Sequence, residues 1–531
     1  MIDALLDRIG DWNPQLLREL KGRLTSKNIL ISGGVSLAVQ VAFYFGFSGN
    51  HYSRNFPSWV LPLFITLSII SIIILLVGGV YILIDDLQRE EKRGTLNFIR
   101  LSPQTSRSIL LGKILGVPIL IYLGIFLAAP LHFGLGIYAA IPVHLIFSFY
   151  TIVTVNCFLF YSAALLFALV SYSHKLKASL AFSGSVLVFI FILLFVLIFS
   201  SPNFPFPIGA FNWLSFFYPG YFIHFLLSQT PHSSDWFNYS SAYLLKKITW
   251  FGLPFWSNAI AAFLFTIANY FIVISWLWHG LNRRFHDREI SPIGKGQSYW
   301  SGSILTVVLI GFSSQSNNIY DLSVNFLVLI IIQFFLYFVL ILALSPRRKT
   351  LQTWSRYRHQ IARKNLFSEL LWGEKSPATL AIALNLILGS TISLIAFFLL
   401  PFGEYRSSLI AILLIGNGVI LLYASLVQWI FLQKIKQPIV VALSVLMTLS
   451  SLPSALTILP DVALFKPALL ITSMFPIFSV YGSTISPTIF LSLIGQGIAI
   501  AAINIQMTRQ LQHLGESEMK ELLSVNSHSQ T

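Results

Sequence analysis

Residues 59–84 read WVLPLFITLSIISIIILLVGGVYILI, 26 positions without one Asp, Glu, Lys or Arg. About 20 apolar residues carry an α-helix across the hydrocarbon core of a bilayer. The acidic pair Asp85-Asp86 ends the run. The rest of the chain has the same character: of 531 residues, 56% are hydrophobic and only 10% charged, with a mean hydropathy of +0.77. Soluble domains carry about 25% charged residues, so this composition excludes one. Cys157 is the only cysteine, which excludes a disulfide scaffold. Disorder is excluded outside the last few residues, because nearly every segment is apolar enough to bury.

The sequence therefore predicts an all-α, polytopic membrane protein of about twelve transmembrane helices. The expected spans are 29–47, 59–84, 114–138, 142–171, 178–199, 257–279, 300–316, 320–345, 378–400, 407–432, 439–459 and 485–507. The seventh is short and ends in Ser313-Ser314-Gln315. Stretches 208–228 and 467–482 are broken by Pro219 and Pro476 and read as re-entrant or interfacial segments. With both termini in the cytoplasm, 29 of the 34 Lys and Arg fall in cytoplasmic loops; only Arg54, Lys246, Lys247, Arg406 and Lys466 fall outside. That asymmetry orients the chain in a cell's inner (plasma) membrane. It also makes the net charge of +15 a lipid-facing collar, without nucleic-acid binding.

The first 28 residues lack the apolar core of a cleavable signal. Within them, Asn13 suits an N-cap, Pro14 the first helical position, and Leu16, Leu17, Leu20 and Leu24 one face. An amphipathic helix on the inner membrane face is expected, joined to membrane lipid.

Between their ends the spans hold no Asp, Glu, Lys or Arg; Asp321 stands at the edge of the eighth. Ion-coupled carriers usually keep such groups at mid-membrane. The polar residues present, among them Asn156, Asn269, Gln333, Asn385, Asn417, Gln428 and Gln496, read as interhelical hydrogen-bond donors and acceptors. His132 and His144 are too few for a metal site. There is no G-x-x-x-x-G-K-[ST] phosphate loop, and no Ser/His/Asp or Cys/His set suited to catalysis. The chain is expected to hold no catalytic residue, cofactor or metal, so energy for uphill movement has to come from a partner.

The most informative polar segment is 85–113, DDLQREEKRGTLNFIRLSPQTSRSILLGK. Gly94 interrupts a charged helical run. Thr95–Leu101 then offers Leu96, Phe98, Ile99 and Leu101 as an apolar side. Pro103 disfavours the helical conformation at Ser102, and Thr105 or Ser106 caps the next helix. Physically this reads either as a docking element whose apolar residues enter a partner's groove or as an ordinary solvated loop.

The pattern Glu-x-x-x-Gly-Thr-Leu, then Leu-Ser-Pro, then Ser-Arg-Ser-Ile-Leu-Leu-Gly-Lys, resembles the coupling segment of the type-2 exporter permeases of ATP-binding-cassette transporters. The matching positions are Glu90 or Glu91, Gly94, Thr95, Leu96, Leu101, Ser102, Pro103, Gly112 and Lys113. Asn13-Pro14 through Leu20 resembles that family's interfacial helix, and the resemblance covers about residues 12–280. It implies a permease subunit driven by a separate cytoplasmic ATPase, in two copies, that carries the ATP and Mg. Glu90, Glu91 and Arg93 would be polar contacts, and Leu96, Phe98 and Ile99 the docking side. The alternatives are an ATPase-independent carrier or lipid scramblase, or a non-transporting assembly subunit.

A usual subunit of that family has about six spans; here the hydropathy pattern runs twice. Residues 29–280 form the first expected module and 281–507 a second, degenerate one, with 508–531 a cytoplasmic tail. Loop 346–377 stands where 85–113 does, without Gly-Thr-Leu. A second register, in which Lys364-Asn365-Leu366 through Leu370 resembles residues 12–20 and a partial module starts near residue 360, would need two chains for one path, a homodimer instead of a pseudo-dimer. The stretch 200–256 holds 18 aromatic residues and six prolines and is expected along the outer membrane face.

Overall fold

The structure, a computed structural model, describes residues 8–48, 59–171, 178–199, 209–227, 248–255, 258–287, 289–360, 365–456, 470–473 and 487–528. The first unit contains α1 (Pro14–Arg23), α2 (Ser26–Ser48), α3 (Val60–Lys92), α4 (Thr95–Arg100), α5 (Ser106–Gly116), α6 (Ile119–Tyr138), α7 (Val143–Ser171), α8 (Ala178–Phe199), α9 (Phe211–Ser215), α10 (Gly220–Leu227) and α11 (Ala259–His286). The second contains α12 (Lys295–Ser313), α13 (Ile319–Leu344), α14 (Arg348–Gln360), α15 (Leu366–Trp372), α16 (Thr379–Leu399), α17 (Tyr405–Leu432), α18 (Pro438–Leu456) and α19 (Pro487–His528). Among the described residues the one β-type pairing is the isolated bridge between Trp250 and Leu253.

Nine described helices are long and apolar enough to cross a membrane: α2, α3, α6, α7, α11, α13, α16, α17 and α19. α8 and α18 are apolar as well, over at least Ala178–Leu194 and Pro438–Pro453. The expected seventh span is the helix α12, but Lys295, Gln297, Ser298, Ser301 and Ser303 dilute it, and it falls short of that length of apolar chain.

Backbone hydrogen bonding does not stop at the bilayer edge, so several helices overrun their apolar runs. α3 continues past Ile84 to Lys92, and α11 past His279 to His286. α19 takes residues 508–528 of the expected tail into one helix of 42 residues. The opposite happens in the expected third span. Pro118 has no N–H, and the helix breaks between Gly116 and Ile119. Four helices are capped by an Asn side chain: Asn13, Asn258, Asn318 and Asn365.

The chain divides into two compact units, Met1–Pro207 with Asn212–Arg288, and Ile208–Phe211 with Glu289–Thr531. In the first, α2 packs on α6, α3 on α7, and α7 on α11. In the second, α12 packs on α16, α13 on α17, and α17 on α19. The expected break at Pro219 lies between α9 and α10. Carbonyls freed there are held by the first unit's own helices: Asn156 donates to the Phe217 carbonyl at 3.0 Å and Tyr270 to that of Phe216. In the second unit Tyr423 donates to the Thr472 carbonyl and Gln496 to that of Leu470 at 3.2 Å. The rest of 467–482, most of 200–256, the link Lys175–Lys177, Arg54, Lys246, Lys247, Lys364 and Lys466 lie outside the described residues.

The polar residues inside the helices join neighbours, as expected of amides in an apolar bundle. Gln333 bonds Thr306 at 3.2 Å, Asn385 bonds Ser298 at 2.9 Å, and Asn417 bonds Ser390 at 2.6 Å. His132 is buried between Ser68 (2.7 Å) and Tyr150 (2.9 Å), while His144 is exposed, so the two do not converge. α3 contains a π-helical turn, Ile74–Gly78. The fully buried Tyr161 donates to the Leu75 carbonyl in that turn at 2.7 Å. Its ring lies where a Cβ on Gly79 would project. Gly79→Val should therefore cost about 1–3 kcal/mol through overpacking, read as a lower melting temperature in detergent, whereas Gly134→Val, with open space around it, should not.

Candidate coupling site

The polar end of α3 is an amphipathic continuation of a membrane helix. Val80, Leu83, Ile84, Leu87 and Glu91 recur at helical spacing and are all buried. Asp85, Asp86 and Glu90 lie off that stripe. The helix ends at Lys92, and Gly94 takes φ +77°, a left-handed conformation that glycine adopts without strain. The six-residue α4 follows. Thr95 Oγ1 donates to the Glu90 carbonyl at 3.0 Å, tying the two helices together.

α4 divides its apolar residues between two sides. Leu96 is 0% exposed and Ile99 8%, whereas Phe98 is 81% and Leu101 85% exposed. Of the expected docking side, then, Leu96 and Ile99 are anchors held inside this chain, and Phe98 faces out together with Leu101. Arg93, Gly94, Thr95 and Pro103 are also exposed, and Ser102 is partly covered, its Oγ donating to the Ile99 carbonyl at 2.7 Å. Glu91 is buried and paired with Arg100 at 3.5 Å. Arg100 in turn stands over the Phe285 ring, 5.5 Å from its centroid. Glu91 thus orients α4 from within and is not an exposed polar contact.

Glu90 also points inward. Lys113 on α5 is fully buried, and its Nζ lies 2.7 Å from Asp86, 2.8 Å from Glu90 and 3.1 Å from Glu19. Arg18 pairs with Glu90, and Arg23 with Asp86 at 2.5 Å. Three carboxylates and three cations from α1, α3 and α5 form one neutral cluster. The three carboxylates are near enough to hold a metal ion, but the ammonium sits among them.

This cluster explains how α1 is placed. Leu16 and Leu20 do not enter lipid: they are buried, and α1 packs on α5. Asn13 accepts from the Leu16 N–H at 2.9 Å and donates to the Ser108 carbonyl at 2.7 Å. The approach is close enough to need Gly112 and Gly116. A Cβ at 112 would lie 2.7 Å from Asn13 Oδ1, and one at 116 would lie 2.5 Å from Glu19 Cβ. α5 itself is capped by Thr105, which accepts from the Ser108 N–H at 3.2 Å. Residue spacing alone does not join Lys113 to Glu19, which lie 94 residues apart. The signal in the residues is an acid and a lysine at the protein-facing positions of two helices, with Gly112 and Gly116 four residues apart.

Burial alone would raise the Glu19 carboxyl, but Lys113, Arg23 and Arg18 outweigh it and hold the group below its ordinary value of 4.5. Burial alone would lower the Lys113 ammonium, but Asp86, Glu19 and Glu90 together hold it above 10.5. A depressed acid contributes stability that is whole above 4.5 and is lost as pH falls through its folded value. A raised base contributes stability that is whole below 10.5 and is lost above it.

No family model, curated protein or solved structure matches the chain.

Two outcomes are expected. Lys113→Met leaves three carboxylates underpaired and should destabilise the protein by about 3–5 kcal/mol near neutral pH; its melting temperature should also fall less steeply below pH 4.5 than the wild type's. Gly112→Val should separate α1 from α5, seen as protease cleavage near residue 24 in a protein that still inserts. Wild-type protection in that variant would refute the close approach.

Proposed function

We propose that the chain is the membrane permease subunit of an ATP-driven exporter, energised by a separate cytoplasmic ATPase that docks on α4. The supporting observation is the outward pair Phe98 and Leu101, more than four-fifths exposed on a helix held from behind by Leu96, Ile99 and the Glu91–Arg100 pair. A soluble partner covering two large apolar groups gains about 25 cal/mol per Å² of apolar surface removed from water. Arg93, at the start of the same turn, supplies charge to set register. The motif resemblance over 85–113 names the kind of partner.

On this reading a push on α4 passes through Thr95 and Glu91 to α3, and through the Lys113 cluster to α1 and α5, shifting the balance between two arrangements of the spans. Both termini are assigned to the cytoplasm by the distribution of Lys and Arg. A cavity of about 460 Å³ between α3, α6 and α7 favours an amphiphilic cargo, being lined by leucine, isoleucine and phenylalanine with a few polar groups such as Ser71 and His132. The matching order of helix packing in the two units supports one chain supplying both halves of the path.

The test is the double variant F98A/L101A in intact membranes. Insertion and melting temperature should stay at wild-type values, while co-purifying ATPase and ATP-dependent export each fall at least tenfold. Export that survives ATP depletion would point instead to an ATPase-independent carrier or scramblase. Undiminished ATPase association in the double variant would remove α4 as the docking element.

A further inference from the structure

α19 carries two stripes at its cytoplasm-directed end. Met507, Leu511 and Leu514 pack with Leu351 and Trp354 of α14 and with Trp429 and Leu432 of α17. Ser355 fixes this wall by donating to the Leu511 carbonyl at 2.8 Å. The other stripe is Gln506, Arg509, Gln510 and His513, at i, i+3, i+4 and i+7, which is one helix face. That face is polar and looks into a groove of about 420 Å³ closed by Arg348, Gln433 and the apolar edges of Leu432 and Leu514. Gln433 bridges to Gln510 at 3.0 Å, joining the end of α17 to α19.

Among the described residues the charge in this groove is of one sign: no described Asp or Glu lines it. Among the described residues no carboxylate pairs with Arg348 or Arg509, whereas Lys113, Arg18, Arg23, Arg100 and Arg358 all have acids. Arg348 is also the first residue of α14, a helix of 13 residues whose N-terminal N–H groups and dipole add positive potential at that end. Two guanidiniums, an imidazole and three carboxamides are donors suited to the oxygens of a phosphate.

Position selects the source of that phosphate. α17 ends at Leu432, in the wall of the groove; α13 ends at Leu344, four residues before Arg348; and the apolar run of α19 gives way to polar chain after Met507, two residues before Arg509. Such a change from apolar to polar chain is expected at the level of the lipid head groups. Leu514, which is only partly covered by the apolar cluster, gives the groove an apolar edge that the glycerol end of a lipid can meet. We propose that this groove of the second unit binds the phosphate head group of an anionic membrane lipid. The site is independent of α4 and of any transport activity.

The experiment uses the purified full chain in mixed micelles, with bound lipid measured against graded phosphatidylglycerol and phosphatidylcholine. Wild type should prefer phosphatidylglycerol. R348Q/R509Q should lose at least fivefold of that preference with phosphatidylcholine binding unchanged, and R348K/R509K should keep most of it. K434Q/K436Q removes the same charge from exposed lysines outside the groove and should also keep most of it. Inorganic phosphate at millimolar concentration should not displace the lipid. Three results would overturn the site: equal preference in R348Q/R509Q and wild type, equal loss in K434Q/K436Q (a general basic collar), or displacement by inorganic phosphate (a soluble anion).

Discussion

The buried ammonium of Lys113 is the constraint on which the cytoplasmic end of the first unit depends. Taking such a charge out of water costs several kcal/mol unless partners surround it. Here they come from two other helices, Glu19 on α1 and Asp86 and Glu90 on α3. None of the three helices can shift by itself without stranding a charge. The close approach of α1 at Gly112 and Gly116 adds a steric limit to the electrostatic one. A region that hydropathy alone describes as a loop is therefore a stiff joint, and stiffness is what transmission of a displacement requires.

α4 depends on that joint. An isolated helix of six residues is not stable in water, because ordering its first turn costs more conformational entropy than its few hydrogen bonds return. It persists because Leu96 and Ile99 are buried beneath it and Glu91 holds Arg100. The left-handed Gly94 turns the chain so that these contacts form while Phe98 and Leu101 stay outside. Exposed apolar groups on so rigid a base are costly to keep unless something covers them, which is the physical content of the docking proposal.

Much of this was legible in the residues. The apolar runs, Asn13 before Pro14, the break at Gly94 and the Thr105 cap all follow from local rules. The two sides of α4 did not. Four of the seven residues in 95–101 are apolar, so a helical projection yields no inner face, and only packing decides that Leu96 turns in and Phe98 out. Glu90 and Glu91 read as surface charges because charged residues usually are; pairing with Lys113 and Arg100 across the chain overrides that rule. Helix ends differ from the expected span limits for a related reason. Hydropathy marks where lipid ends, whereas α3, α11 and α19 end where backbone hydrogen bonding ends, and Pro118 stops a helix inside an apolar run.

The basic excess of the chain has two fates. In the first unit Lys113, Arg18 and Arg23 are neutralised by acids of the same fold, and their contribution is internal rigidity. In the second, Arg348 and Arg509 converge on a groove with no acid among its described residues, which leaves their charge for something outside the chain. A rule that counts Lys and Arg by loop treats these groups alike, yet they differ in what a mutation would reach. Neutralising a cation of the first kind acts on folding through the carboxylates it abandons. Neutralising one of the second acts on the surroundings of the protein and leaves the helix packing intact. The second unit, which lacks Gly-Thr-Leu, would then take its footing from the membrane surface while the first takes its drive from a partner, a division of labour that needs no symmetry of function between two similarly packed halves.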